Sequence, residues 1–317
     1  MSFPNIGKSG AGFFFQRLKT SIARQRLARE VRPWSLKSKV NFTVPDGKRR
    51  WGANIVRMDG IYFGSFGNTP LGQRLNSIIL KSIERSDAII FQSNYSHDLV
   101  CKYFGNIRKP YEIILNGAPI NPRLFNRSHE DGKPFVFVCI AKWRNFKRLD
   151  AIIQTIELIN NEVPTELIVV GAVPSKSNFS GRANIQFKGD RSQIEINELL
   201  KNAHALIHLS WFDACPNSVV EAICSGLPVI CSNLGGTKEI VSMANAGLIS
   251  QCDALLVDYS DVDLEKPPSP NFNVLVDDCI KLINSYNSIV AEMNIGTLDI
   301  NLTAKRYINF ALKTRER

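Results

Sequence analysis

The sequence predicts an α/β protein made of two doubly wound parallel sheets. A regular alternation of strand and helix patterns begins at Phe135 with the apolar run FVFVCI, which is typical of a strand buried on both faces. A patchier alternation over the first 130 residues indicates a smaller unit of the same class. The length of 317 residues suits two domains of ordinary size.

Apolar runs and helical periodicity place the individual elements. In the larger unit we predict strands at 135–140, 165–171, 184–189, 205–209 and 228–232, and helices at 148–160, 194–203 and 216–226. In the smaller unit we predict strands at 40–44, 53–58, 87–93 and 111–117, and helices at 12–29, 71–86 and 94–104. A final amphipathic helix is predicted over 303–317.

These elements define the predicted domain organisation. The N-terminal domain covers residues 1–128, and the C-terminal domain covers 133–290. The polar stretch 126–134 is the predicted linker. Residues 291–317 form a terminal segment whose helix could pack back on the first domain.

The cysteines and the hydropathy indicate a cytoplasmic protein. The seven cysteines are odd in number and never spaced as C-x-x-C, and several sit in apolar runs. This pattern is typical of reduced cysteines in a hydrophobic core. No apolar run approaches the roughly 18 residues that a membrane span needs.

The charge is distributed unevenly. Residues 1–130 hold 21 Lys and Arg against 8 Asp and Glu, a net charge of +13, whereas the remainder has a net charge of −3. Such asymmetry indicates an anionic partner, which could be nucleic acid, an anionic membrane surface or a phosphorylated substrate. A basic half that only aids solubility is the alternative.

The glycine-rich start, PNIGKSGAGFFFQRL, is similar to a phosphate-binding loop at first sight. A Walker A loop needs a glycine five residues before its Gly-Lys pair. The pair here is Gly7-Lys8, and the required position holds Ser2. The sequence therefore excludes a nucleoside-triphosphatase loop.

The most informative segment is residues 209–241. A buried strand ends near Leu209, Asp213 lies on the following loop, and a helix begins at about Pro216 with Glu221 inside it. The two carboxylates flank a helix N-terminus at the carboxyl end of a parallel strand, where open α/β sheets bind ligands.

The start of this helix suits a phosphate. The free N–H groups of Asn217, Ser218 and Val219, together with the helix dipole, attract anions. Carboxylates beside such a site suit the hydroxyl groups of a ribose or another sugar.

The segment resembles the donor site of glycosyltransferase family 4, also described as glycosyl transferases group 1, whose members are retaining enzymes of the GT-B type. The matching residues are Asp213, Glu221-Ala222, Ser225-Gly226-Leu227-Pro228-Val229 and Gly235-Gly236-Thr237-Lys238-Glu239. The resemblance implies two Rossmann-like domains that face each other across a cleft, here with a reduced N-terminal domain. The first acid of the family's motif is usually Glu, whereas this chain has Asp213.

The resemblance also implies residue roles. Asp213 is expected to contact the donor sugar, and Glu221 is expected to bind the ribose. In CIAKWRNFKRLD, Lys142 and Lys147 fall on the positions that neutralise the donor diphosphate, with Arg148 as a further candidate. Members of the family usually work without a metal, so neither a metal nor a cofactor is expected here.

Two N-terminal features complete the predicted site. Family members begin with a glycine-rich turn before the first helix, and Gly10 and Gly12 match it, letting the backbone approach the diphosphate or the acceptor. Asp59 follows a strand where the family often places a polar residue of the cleft. It could orient the acceptor hydroxyl as a catalytic residue beside Asp213 and Lys147, or it could simply form an Asp-Gly turn.

The resulting hypothesis is a retaining glycosyltransferase of the EC 2.4 class. It would move a hexosyl or related sugar from a UDP-, GDP- or ADP-linked donor to a glycan or lipid-linked acceptor, as in surface polysaccharide or glycoconjugate synthesis. The basic half would attach the protein peripherally to an anionic membrane on its inner face. Two alternatives stay open: a catalytically inactive nucleotide- or glycan-binding protein of the same fold, and nucleic-acid binding by the basic half. Nucleic acid is not the expected partner, because aromatic residues suited to base stacking are not evident there.

Overall fold

The computed structural model describes residues 1–4, 6–7, 9–31, 39–121, 128–130, 132–173, 183–255, 259–260 and 262–316. Parts of three sequence features lie outside these ranges: residues 126, 127 and 131 of the predicted linker, Asn5 and Lys8 of the glycine-rich start, and residue 317 of the predicted final helix.

The smaller sheet has four parallel strands. They are β1 (Val40–Thr43), β2 (Ala53–Met58), β3 (Ala88–Phe91) and β4 (Tyr111–Ile113), in that spatial order. The accompanying helices are α1 (Gly10–Arg24), α2 (Gly64–Gly67), α3 (Pro70–Arg85) and α4 (Asn94–Phe104). Ser2 extends the sheet by a single parallel bridge to Asn41 ahead of α1.

The larger sheet has six parallel strands in the order β10-β9-β8-β5-β6-β7. They are β5 (Phe135–Ile140), β6 (Thr165–Val170), β7 (Ile185–Gly189), β8 (Ala205–His208), β9 (Val229–Ser232) and β10 (Gly247–Ser250). Their helices are α5 (Leu149–Asn160), α6 (Gln193–Lys201), α7 (Asn217–Cys224), α8 (Thr237–Met243), α9 (Phe272–Asn284) and α10 (Tyr286–Glu292). The predicted α/β class with parallel sheets is confirmed.

Some predicted elements differ in extent. The first helix ends at Arg24 instead of residue 29, because Arg26 adopts a left-handed backbone conformation with φ of 55° and a helix cannot continue through it. The strand predicted at 111–117 stops at Ile113. The elements α8, β10, α9 and α10 were not predicted.

The last helix, α11 (Ile300–Arg315), packs against α1 and completes the core of the smaller sheet. The Tyr307 ring lies 5.7 Å from that of Phe14 and 5.4 Å from that of Phe42, measured between ring centroids. The chain therefore returns to its N-terminal half after the larger sheet is complete. None of the described helices is long and apolar enough to cross a membrane.

The N-terminal half, which holds β1 to β4, and the larger half, which holds β5 to β10, contact each other directly. The Phe63 ring from the N-terminal half meets Phe212 edge-on, with centroids 5.2 Å apart. Glu239, at the start of α8, accepts hydrogen bonds from the backbone N–H groups of Asn94 and Tyr95, both at 2.7 Å. The Glu239 carboxylate thus accepts hydrogen bonds from two free N–H groups at the N-terminus of α4. The positive end of the α4 helix dipole attracts the same negative charge.

Candidate active site

Asp213 and Lys147 come together at the carboxyl edge of the larger sheet. Because β5 and β8 are neighbours, the loops that follow them lie side by side. Lys147 ends a short 3-10 turn after β5, and its Nζ donates to Asp213 Oδ2 on the loop after β8. The two side chains are only 16% and 21% exposed, so this ion pair is partly shielded from water.

The backbone of Asp213 is fixed by the Gly-Gly loop. Gly236 N donates to the Asp213 carbonyl oxygen at 2.7 Å. Gly235 has a φ of +71°, and a Cβ there would lie 2.8 Å from the same oxygen, so only glycine fits. Burial raises the pKa of the Asp213 carboxyl, but the Lys147 ammonium, His208 and the backbone N–H of Cys215 together lower it by more, so that the pKa lies below its ordinary value. Asp213 is therefore an anion at neutral pH.

A buried histidine lies beneath this pair. His208 ends β8, is 6% exposed, and its Nε2 lies 4.0 Å from Asp213 Oδ2 without a hydrogen-bond partner among the described residues. Burial, and then the neighbouring Lys147 ammonium, lower the pKa of the His208 imidazole to about 3. The ring is therefore neutral at neutral pH.

The N-terminus of α7 opens toward the N-terminal half. Pro216 precedes the helix and makes no side-chain cap, so the N–H groups of Asn217, Ser218 and Val219 are not satisfied by a capping side chain. Asn217 Nδ2 donates to the Gly10 carbonyl oxygen at 2.8 Å. The start of α7 and the start of α1 therefore face each other.

Glu221 is held by an arginine from the N-terminal half. Arg17 on α1 donates through Nη1 to Glu221 Oε1, and through Nη2 to Asn217 Oδ1 at 2.8 Å. The second carboxylate oxygen, Oε2, accepts from Gln193 Nε2 at 3.2 Å. Both oxygens of Glu221 are thus engaged in this structure, one of them by a cation that approaches from the other half of the molecule.

Arg148 belongs to the framework of the site. Its guanidinium is 2% exposed and forms a bidentate pair with Asp253 at 2.6 and 2.7 Å, while its Nε donates to the Leu209 carbonyl oxygen at 2.6 Å. Breaking such a buried pair typically costs about 3–5 kcal/mol. The expected contact of Arg148 with a diphosphate does not fit this geometry, because its donors already serve Asp253 and the backbone.

The remaining predicted residues lie in different surroundings. Lys142 is exposed on the loop after β5. The turn itself requires glycine at position 12, since a Cβ there would lie 2.0 Å from the Gly7 carbonyl oxygen. The group that closely approaches Gly12 is therefore the backbone of the same chain and not a ligand. Asp59 is 55% exposed and pairs with the buried guanidinium of Arg57.

Arg57 connects Asp59 to the site. Its Nη2 donates to Asn116 Oδ1 at 2.8 Å, and Asn116 Nδ2 donates in turn to Asn217 Oδ1 at 3.1 Å. Asp59 thus joins a polar network that reaches the start of α7.

Sequence reasoning missed four residues of this arrangement: Arg17 as a partner of Glu221, and Arg57, Asn116 and Gln193. Arg17 and Glu221 are 204 positions apart, so no local spacing links them. Within the described ranges, no group of three or more His, Cys, Asp or Glu residues could hold a metal ion.

Comparison with known proteins gives a family match for the central segment. Residues 121–261 match the family described as "Glycosyl transferases group 1". The chain is also 25% identical over 211 residues to the N-acetyl-alpha-D-glucosaminyl L-malate synthase of Bacillus anthracis, covering 62% of this chain and 54% of the relative. The chain thus spans about half the length of this curated relative.

Solved structures extend the likeness to nearly the whole chain. WaaG, a glycosyltransferase involved in lipopolysaccharide biosynthesis, superposes with a TM-score of 0.66 at 14% identity, covering 98% of this chain and 99% of that one. The pneumococcal O-GlcNAc transferase GtfA in complex with UDP and GlcNAc gives 0.61 at 13% identity, covering 83% and 53%. At these identities the likeness establishes the fold. The chain therefore has the GT-B fold, and its segment 121–261 matches the family model of the group 1 glycosyltransferases.

Proposed function

We propose that this protein is a retaining glycosyltransferase that moves a sugar from a nucleotide-diphosphate sugar to a hydroxyl of a glycan or lipid-linked acceptor. The observation that carries the proposal is the convergence of the Lys147–Asp213 pair with Glu221 and the uncapped start of α7. Cations and free N–H groups suit a diphosphate, and carboxylates beside them suit sugar hydroxyls. The family match and the similarity to known glycosyltransferases support the same function.

Each group has a definite task in this proposal. The N–H groups at the start of α7 and the ammonium groups of Lys147 and Lys142 bind the diphosphate. Glu221 accepts hydrogen bonds from the ribose hydroxyls, and Asp213 contacts the transferred sugar. In this proposal Arg17 releases Glu221 when the ribose binds, because its Nη1 donates to the carboxylate oxygen Oε1.

The transfer step needs neither a metal nor a protein nucleophile. The bond between the anomeric carbon and the diphosphate oxygen breaks, and Lys147 stabilises the charge that develops on the leaving diphosphate. The acceptor hydroxyl attacks from the same face, and its proton passes to a diphosphate oxygen. Asp59 is proposed to orient the acceptor through the network of Arg57 and Asn116.

A ligand screen tests this function. Donors with UDP, GDP and ADP carriers are added separately and the unfolding temperature is recorded, because a ligand that binds only the native state raises apparent stability. We expect one nucleotide series to stabilise the protein and its sugar to be transferred to an added acceptor. Stabilisation by a nucleotide without turnover of any sugar would favour the inactive binding protein. Steeply salt-dependent binding of DNA or RNA, without nucleotide-sugar binding, would favour the nucleic-acid reading.

The proposed acceptor surface is an anionic membrane on the cytoplasmic side. Arg24, Arg26 and Arg29 are exposed at and beyond the end of α1. The charge pattern alone would add Arg17 to this cluster. The structure excludes Arg17 from the cluster, because the side chain pairs with Glu221. Each basic residue near such a surface contributes about 1 kcal/mol of binding within roughly one Debye length.

Neutralising this arginine cluster should therefore weaken membrane attachment. We expect a triple glutamine variant of Arg24, Arg26 and Arg29 to sediment less with vesicles containing phosphatidylserine, while its nucleotide binding stays unchanged. The control variant carries glutamine at the exposed residues Lys201, Lys266 and Lys281 of the larger half and should sediment like the wild type. Sedimentation that is indifferent to salt or to lipid charge would contradict the membrane proposal.

A further inference from the structure

The unpartnered Nε2 of His208 lies directly below the proposed reaction site. The side chain is 94% buried, since its exposed fraction is 6%. A buried polar atom without a hydrogen-bond partner is energetically unfavourable. The described residues give this atom no hydrogen bond, and Asp213 Oδ2 is 4.0 Å away. A movement of about 1 Å would bring the two atoms to hydrogen-bonding distance.

Lys147 occupies the Asp213 carboxylate in this structure. Its ammonium donates to Oδ2, the same oxygen that His208 faces. If Lys147 turns to the diphosphate, Asp213 loses its cationic partner while it is still largely shielded from water. A partly buried carboxylate needs another donor at that moment.

We propose that His208 is a positioning residue, which donates a hydrogen bond from Nε2 to Asp213 when Lys147 turns to the leaving diphosphate. This inference rests on the proposed function. The hydrogen bond would hold the carboxylate beside the sugar during transfer. A neutral imidazole is suited to this task because it orients the carboxylate and leaves its negative charge in place.

The surrounding charges keep the imidazole neutral. The ionisable groups that influence it are Lys147, Asp213 and Arg148, and the two cations oppose protonation of the ring. Arg148 is itself neutralised by Asp253, so Lys147 is the partner that changes during the proposed step.

The hydrogen bond can be tested without any substrate. The chain contains four histidines, so ¹⁵N-histidine NMR can resolve His208, with His97, His129 and His204 as internal references. The variant Lys147→Ala imitates the departure of the lysine. We expect a hydrogen-bonded Nε2–H signal from His208 in this variant and its absence after the further change Asp213→Asn. An unchanged His208 signal in Lys147→Ala would overturn the proposal.

Kinetics then test the role in turnover. His208→Phe removes the donor while keeping an aromatic ring, and His208→Gln can place an amide N–H close to the position of Nε2. We expect His208→Phe to lower kcat about 10-fold or more, with donor affinity unchanged, and His208→Gln to restore most of the loss. In an Asp213→Asn background, His208→Phe should have little further effect, because residues that act together are not additive. Equal losses in the two His208 variants, or additive losses with Asp213→Asn, would assign His208 a purely structural role.

The two proposals fail in different ways. A wild-type protein that turns over no nucleotide sugar contradicts the proposed function and, with it, the role of His208 in transfer. The NMR comparison still decides whether the His208–Asp213 hydrogen bond forms.

Discussion

Replacing Lys147 with alanine is expected to lower kcat by about 100- to 1,000-fold, the usual cost of removing one donor that stabilises a developing negative charge. Donor affinity should fall much less. The charge on the diphosphate grows as the glycosidic bond breaks, so the ammonium stabilises the transition state more than the bound donor. The same ammonium is also paired with Asp213 in the structure. Breaking this ion pair offsets part of the free energy that Lys147 contributes to donor binding.

Steady-state rates at saturating donor, together with calorimetric donor affinity, measure this split. Lys133→Ala is the matched control, because Lys133 lies before β5, near the opposite end of the same strand, and is 69% exposed in a pair with Glu130. It should behave like the wild type. If Lys147→Ala retains the wild-type kcat at saturating donor, Lys147 does not stabilise the leaving group.

Replacing Glu221 with alanine is expected to weaken nucleotide binding by about 1.5–3 kcal/mol, which is roughly 10- to 150-fold in affinity. The ribose hydroxyls would lose a partly buried charged acceptor. Arg17→Ala should have the opposite effect and tighten binding, because Glu221 would no longer have to leave an ion pair before it accepts the ribose.

The opposite signs make this pair of variants diagnostic. Calorimetry with the nucleoside diphosphate identified by the ligand screen gives both affinities. Glu198→Ala is the control, since Glu198 is an exposed helical glutamate in an ion pair with Lys201. Unchanged affinity in a folded Glu221→Ala protein would remove Glu221 from the site, and weaker binding by Arg17→Ala would make Arg17 a direct contact of the ligand.

The buried strands could be predicted from the sequence because their signal is local. The run at 135–140 is continuously apolar, the run at 53–58 has Ile55 and Val56 at its centre, and both strands have these bounds in the structure. The strand Gly247–Ser250 could not be found in this way. It begins with a glycine and three of its four residues are only partly buried, and its pairing with β9 comes from the sheet and not from its own composition.

The site could be predicted only where its residues share a motif. Asp213 and Glu221 lie within one loop and helix, and Lys147 was located through a second local pattern. The partners Arg17 and His208 carry no such signal. Arg17 reaches Glu221 from the other half of the molecule, and His208 occupies the end of a strand where the sequence indicates only a core residue. Arg148 is the opposite case, a residue that the local pattern suggests and the structure does not support as a ligand contact. A basic residue next to Lys147 resembles a phosphate ligand in the sequence, but in the structure Arg148 pairs with the distant Asp253.

The return of α11 to the smaller half has a consequence for the order in which the protein folds during synthesis. Domains generally fold as units while the chain emerges from the ribosome, with the N-terminal one first. Here the core around Phe14 and Phe42 includes Tyr307 and its neighbours on α11, which are made after the whole of the larger sheet. The larger sheet, whose strands all lie between residues 135 and 250, is available well before them. The half that is first in the sequence is therefore the last that can close its core.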